Sequence, residues 1–119
     1  MTVLVDDSLA GAILQAWEPE AGTKAASGDN TLVAAPGAGN RLVVQMFMVQ
    51  NESATATTCL LKSGSTTRYR KLLQNQGDDF GRAFQIGREW RLGENEALVL
   101  NLSGANSHGY SVEYWTEAV

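Results

Sequence analysis

The sequence predicts an all-β domain, a sandwich or barrel of about seven short strands, carrying an extended N-terminal arm. Three observations predict it. Apolar residues recur with period two from residue 31 onward. Turn-forming clusters interrupt that alternation at spacings near ten residues. No long stretch carries the three-to-four-residue apolar spacing of an amphipathic helix. At 119 residues the chain is one domain, long enough for a single core without a metal or disulfide staple.

Residues 1–30 form the arm and residues 31–119 the sandwich domain. Within the arm, Ser8 to Trp17 suits a short helix ended by Pro19 or a strand equally well, and Gly22 to Asn30 is small and polar like a linker. Thr31 to Ala35 is a short apolar run stopped by Pro36-Gly37-Ala38-Gly39-Asn40. Arg41 to Gln50 is a strand with two apolar faces, Leu42, Val44, Met46 and Met48 on one and Val43, Phe47 and Val49 on the other. Such a strand is either covered twice or lends its second face to a partner. After the Asn51-Glu52-Ser53 turn, Thr55 to Gly64 is rich in β-branched residues, and Arg68 to Gln74 makes a further strand. Phe84, Ile86, Trp90 and Leu92 share one parity, with Gly87 as a bulge or sharp bend between them. Leu98, Leu100 and Leu102 share a face, as do Tyr110, Val112 and Tyr114, and the Ser-Gly-Ala-Asn turn between them suggests a hairpin.

Composition narrows the function. Apolar residues make up 44% and charged residues 18%, a globular balance. No apolar run approaches the length of a membrane-spanning helix, and the start has no basic segment ahead of an apolar one, so no secretory signal is expected. Cys59 is the only cysteine, so no internal disulfide forms, and one Cys with one His makes no plausible zinc site. Charge is segregated. Residues 1–40 hold five acids and one lysine, residues 41–92 eight basic and four acidic residues, and residues 93–119 four glutamates and no base. The overall charge of −4 argues against nucleic acid as the main partner. A basic middle between acidic ends suits contact between copies of one protein.

The stretches "TLVAAPGAGNRLVVQMFMVQNESATATTCLLKSGSTT" and "GREWRLGENEALVLNLSGANSHGYSVEYW" resemble the small β-sandwich structural proteins of tailed bacteriophages, over about residues 31 to 116. The resemblance implies an antiparallel, jelly-roll-like β-sandwich in the virion. It implies a head decoration (cement) protein on the capsid surface, binding the major capsid protein as a homo-oligomer, a trimer by analogy. Related domains occur in tails and fibres, and a carbohydrate-binding module there is the alternative.

The candidate sites are then these. His108 lies in the Ser-Gly-Ala-Asn-Ser-His-Gly turn, beside Ser107 but without the third residue or the nucleophile elbow of a catalytic serine, and is expected to be part of the bend. Cys59 is expected to be a buried, inert thiol. Asp6-Asp7 and Asp78-Asp79 are too sparse for a calcium loop. No catalytic residue, metal ligand or cofactor is expected, and no enzymatic activity. Arg68-Tyr69-Arg70-Lys71 is the densest basic stretch, an intersubunit or capsid ion-pair patch or a solvated edge strand. Trp90 belongs to the core by parity, whereas Trp115 is out of phase with Tyr110, Val112 and Tyr114 and faces outward as an interface anchor. The expected subunit interface is Val43, Phe47, Val49, Arg68, Arg70 and Trp115. Thr2, Val3, Leu4 and Val5, a β-prone stretch in the arm, are the expected capsid contact.

Overall fold

The computed structural model describes residues 18–119, which form nine strands in two antiparallel sheets. Strands β1 (Glu18–Lys24), β3 (Asn40–Asn51), β6 (Asp79–Ala83), β7 (Trp90–Arg91) and β9 (His108–Ala118) make the first sheet, in the order β1-β9-β3-β6 with β7 also on β3. Strands β2 (Gly28–Val33), β4 (Thr57–Ser63), β5 (Thr66–Leu73) and β8 (Leu98–Leu102) make the second, in the order β2-β8-β4-β5. Both β6 and β7 lie along the same side of β3, β6 against Met46–Gln50 and β7 against Val43–Val44, so together they fill one strand position. The result is eight positions in two facing four-stranded sheets, the order of a jelly roll.

Nearly all the pairing is between strands remote in sequence. Of the described chain neighbours, β4 and β5 alone pair with one another. Their two-residue turn has Gly64 at φ +57°, the positive φ that the first position of a type II′ hairpin turn requires. Every other connection leads to a strand that finds its partner elsewhere. The segment after β8 crosses from the second sheet to the first, so Leu98–Leu102 and His108–Ala118 do not form the hairpin that their shared alternation suggests.

The sandwich also begins earlier than residue 31. Glu18–Lys24 pairs along its length with His108–Tyr114, and Gly28 opens β2 against Leu102. The boundary expected at residue 30 therefore falls inside the sheets. Small and polar residues such as Ala21, Gly22 and Thr23 can edge a sheet because their neighbours, not they, supply the apolar cover.

The core lies between the sheets, with Leu42, Val44, Phe47, Val49, Cys59, Leu61, Leu98, Leu100, Leu102 and Val112 almost fully buried. The inward set on β3 changes parity partway along. Its pairing with β9 shifts between Val44 and Met46, leaving Gln45 as an extra residue. Upstream, Leu42 and Val44 point inward; downstream, Phe47 and Val49 do. Gln45 also holds the break in the neighbouring strand position. Its backbone carbonyl accepts from the Phe84 N–H at 2.9 Å, and its side-chain amide donates to the Phe84 carbonyl. The 84–89 excursion between β6 and β7 leaves the sheet here and bends at Gly87, whose φ is +92°. Ile86 rides on it and is 69% exposed, so it does not share the inward face of Phe84, Trp90 and Leu92.

Candidate interaction surfaces

His108 and Cys59 are both buried in the core. His108 is the first residue of β9, 0% exposed, paired with Asn51 of β3 and Lys24 of β1. Its Nδ1 lies 2.8 Å from the Asn106 carbonyl, which can only accept, so Nδ1 carries the proton and donates. Its Nε2 is buried without a hydrogen-bond partner among the described residues. The Ser107 hydroxyl does not face the imidazole; it donates to Glu52 at 3.0 Å. Cys59 is fully buried, and burial pushes its thiol up to about 11, away from the thiolate that reacts. Among the described residues no group of three or more His, Cys, Asp or Glu side chains is placed to hold a metal ion. No helix among them is long and apolar enough to cross a membrane.

The outer face of the first sheet divides into two parts. At one end, Arg41 of β3 and Arg91 of β7 both reach Glu117 Oε2, at 2.7 Å and 3.0 Å. Glu117 and Arg91 flank β3 on opposite sides, so their ion pair spans that strand beside Val43. Trp115 and Arg91 are the register partners of Val43, on the same face. Under this cover Val43 is 0% exposed. Arg91 also meets Glu89 at 3.3 Å. Burial of Glu89 disfavours its charge, but the backbone N–H groups of Glu89 and Gly87, followed by Arg91, outweigh it and hold the carboxyl below its usual range. Beyond the bulge the face opens: Met48 is 42% exposed beside the small residues Gly81 and Ser111.

This arrangement corrects all three interface residues expected on β3, half of the six expected in total. Phe47 and Val49 are core residues, because the bulge at Gln45 turns them inward, and Val43 is sealed by its own chain. Of the apolar residues on that strand, Met48 is the one that remains exposed. Trp115 does face outward from the first sheet, half-buried in the row next to Val43. Thr2, Val3, Leu4 and Val5 lie outside the described residues, as do Trp17, Asp6 and Asp7.

The basic stretch has a different geometry. Strand β5 is the outermost strand of the second sheet and faces β6 and β7, the outermost position of the first. Tyr69 turns inward between them, its ring 5.1 Å from Phe47 and 5.2 Å from Trp90. The Arg68 guanidinium sits 4.8 Å from the Tyr69 ring centre, and Arg82 of β6 lies 5.4 Å from that of Phe84. Arg68, Arg70, Lys71, Arg82 and Arg88 are all exposed, and none forms an ion pair among the described residues. Two exposed hydrophobic residues belong to the same edge, Leu72 on β5 at 48% and Ile86 at 69%. Arg82, Arg88 and Ile86 joined this set only through folding; nothing in their spacing links them to Arg68–Lys71.

The opposite edge is acidic over the first half of β1, with Lys24 at its far end. Glu18 and Glu20 stand on β1, with Glu20 accepting from the Tyr110 hydroxyl at 3.3 Å. Burial first, then these carboxylates, raise the phenol groups of Tyr110 and Tyr114 above their usual range. Asp29 is spoken for: hydrogen bonds from Asn101 at 2.7 Å and Lys62 at 3.0 Å lower its carboxyl below the ordinary value.

No family model and no curated protein matches the chain. Among solved structures, the fold is similar to a protein of the disulfide-linked pili of Bacillus endospore appendages, at 12% identity and a TM-score of 0.45, covering 83% of this chain and 86% of that one. It is also similar to the coat protein of tobacco streak virus, at 11% identity and a TM-score of 0.30, covering 85% and 88%. At these scores neither similarity carries the functional argument, which rests on the surfaces of this chain.

Proposed function

We propose that the chain is a structural protein of a tailed-bacteriophage virion that decorates the capsid surface, binding the major capsid protein as a homo-oligomer, a trimer. Its chemistry on this reading is contact alone, and it is not an enzyme. The observation that carries the reading is the β5–β7 edge, which carries five exposed cations without ion partners among the described residues, exposed Leu72 and Ile86, and Asp78 and Asp79 beside Lys71 and Leu72. An interface uses large apolar side chains of this kind as anchors within a charged rim. The jelly-roll strand order and the sequence resemblance over residues 31 to 116 support placing that contact in a phage particle.

The N-terminal segment supplies the second contact, through Thr2, Val3, Leu4 and Val5. Purified protein added to bare capsids should bind saturably, with a fixed number of copies per shell. A variant lacking residues 1–17, which leaves β1 intact, should keep its fold and show much reduced occupancy. No saturable binding by the full chain would overturn the proposal.

A further inference from the structure

We infer that copies of this chain associate head to tail, with the basic β5–β7 edge of one copy docked against the acidic β1 edge of the next. The inference rests on the self-association part of the function proposed above and not on the capsid part.

Strand β1 and the β6–β7 position are the two outermost positions of one sheet, separated by β9 and β3. Three strand spacings place them roughly 14 Å apart. That exceeds the screening length of about 8 Å at physiological salt, so Glu18 and Glu20 do little to neutralise the arginines of their own molecule. A second copy can bring the opposite charges to contact distance. If the charges served only to keep edges from pairing, one sign on both edges would repel copies best. Here the signs are opposite, which attracts them.

The apolar residues match as well. On β1, exposed Pro19 and Ala21 alternate with Glu18 and Glu20, a small apolar surface set among acids. On the other edge, Leu72 follows Arg70 and Lys71 and Ile86 precedes Arg88 by two residues, large exposed apolar groups on a surface where five cations outnumber Asp78 and Asp79. Direct strand-to-strand pairing is obstructed on that side of the first sheet, because the 84–89 excursion interrupts it between β6 and β7. Docking therefore runs through side chains. Because the two contacting surfaces differ, the association is heterologous, and it closes into a ring where the rotation between copies permits.

Two charge-reversed variants test this, Arg68→Glu/Arg70→Glu and Glu18→Lys/Glu20→Lys. Each alone should keep the far-UV circular dichroism of the parent and lose association by roughly 100-fold or more, since each now sets like charges together. Mixed one to one, the two should associate again, because each contact between unlike variants then joins opposite charges. Sedimentation velocity at low and high salt reads both effects, and Ile86→Ser should weaken association without touching either charge set. Glu18→Lys alone serves if loss of the Glu20–Tyr110 bond disturbs folding. A parent chain that stays monomeric at high micromolar concentration in low salt overturns the inference, as does association that either reversal leaves unchanged. Failure here with intact capsid binding would remove the head-to-tail contact and leave the virion role standing; the reverse result would do the opposite.

Discussion

Replacing Phe47 with alanine distinguishes a core residue from an interface residue on the strand where sequence leaves both open. Phe47 is 2% exposed and touches four aromatic rings, those of Tyr69, Phe80, Phe84 and Trp90, at centroid distances of 5.1, 5.8, 6.3 and 6.4 Å. Truncation at such a site costs about 3–5 kcal/mol, from lost burial and from a cavity that the surrounding rings cannot fill. A domain of this size has about 5–15 kcal/mol in total. With a urea slope of about 1.5 kcal/mol per molar, the midpoint should fall by roughly 2–3 M. Phe47→Leu keeps most of the volume and loses the ring contacts, so a cost of about 1–2 kcal/mol is expected, which guards against outright unfolding of the alanine variant. Equilibrium urea unfolding by tryptophan fluorescence and circular dichroism, at two protein concentrations, measures both. A midpoint unchanged by Phe47→Ala, with association lost instead, would refute the inward placement and the bulge at Gln45 that produces it.

Gly81→Ala should destabilise by about 1–3 kcal/mol in the same assay, because its Cβ would lie 2.6 Å from the Phe47 carbonyl oxygen and the backbone cannot yield cheaply. The Cys59 thiol should resist alkylation at pH 8 in the folded protein and react promptly in urea. Its raised value of about 11 means that its contribution to stability is present below pH 9.0 and lost as pH rises toward 11, which alkaline titration of the urea midpoint checks. Asp29 has the opposite sign: its lowered carboxyl stabilises above the ordinary value near pH 3.8 and stops doing so as pH falls through the lowered one. The effect should be small, because Asp29 is half exposed, and Asp29→Asn should abolish it.

Much of the layout is legible in the residues. Long apolar strands announce themselves by alternation, as Arg41–Gln50 and Leu98–Leu102 do, and Trp90 falls in the core where its parity with Phe84 places it. The Pro36–Asn40 turn and the bend at Gly87 follow from residues that tolerate positive φ. What alternation does not carry is partner choice. Leu98–Leu102 and Tyr110–Tyr114 read as a hairpin because adjacent strands often pair, yet in a jelly roll that connection changes sheets. Nor does it carry the bulge: one extra residue, Gln45, reverses the facing of everything downstream, so Phe47 and Val49 exchange surface for core with Met46 and Met48. Strand β1 carries no alternation to announce it, because an edge strand of Ala, Gly and Thr needs no apolar stripe. The basic surface is legible only in part, since Arg68–Lys71 is contiguous but Arg82 comes from the other sheet and Ile86 and Arg88 from the excursion between β6 and β7.

A decoration protein is defined by where it sits on the particle. Antibody labelling of intact purified particles, viewed by electron microscopy, tests this most directly. Gold should be distributed over the surface of the head, at a density set by the capsid lattice and lost when residues 1–17 are deleted. Label confined to the tail, or absent from washed particles while present in the lysate, would contradict it.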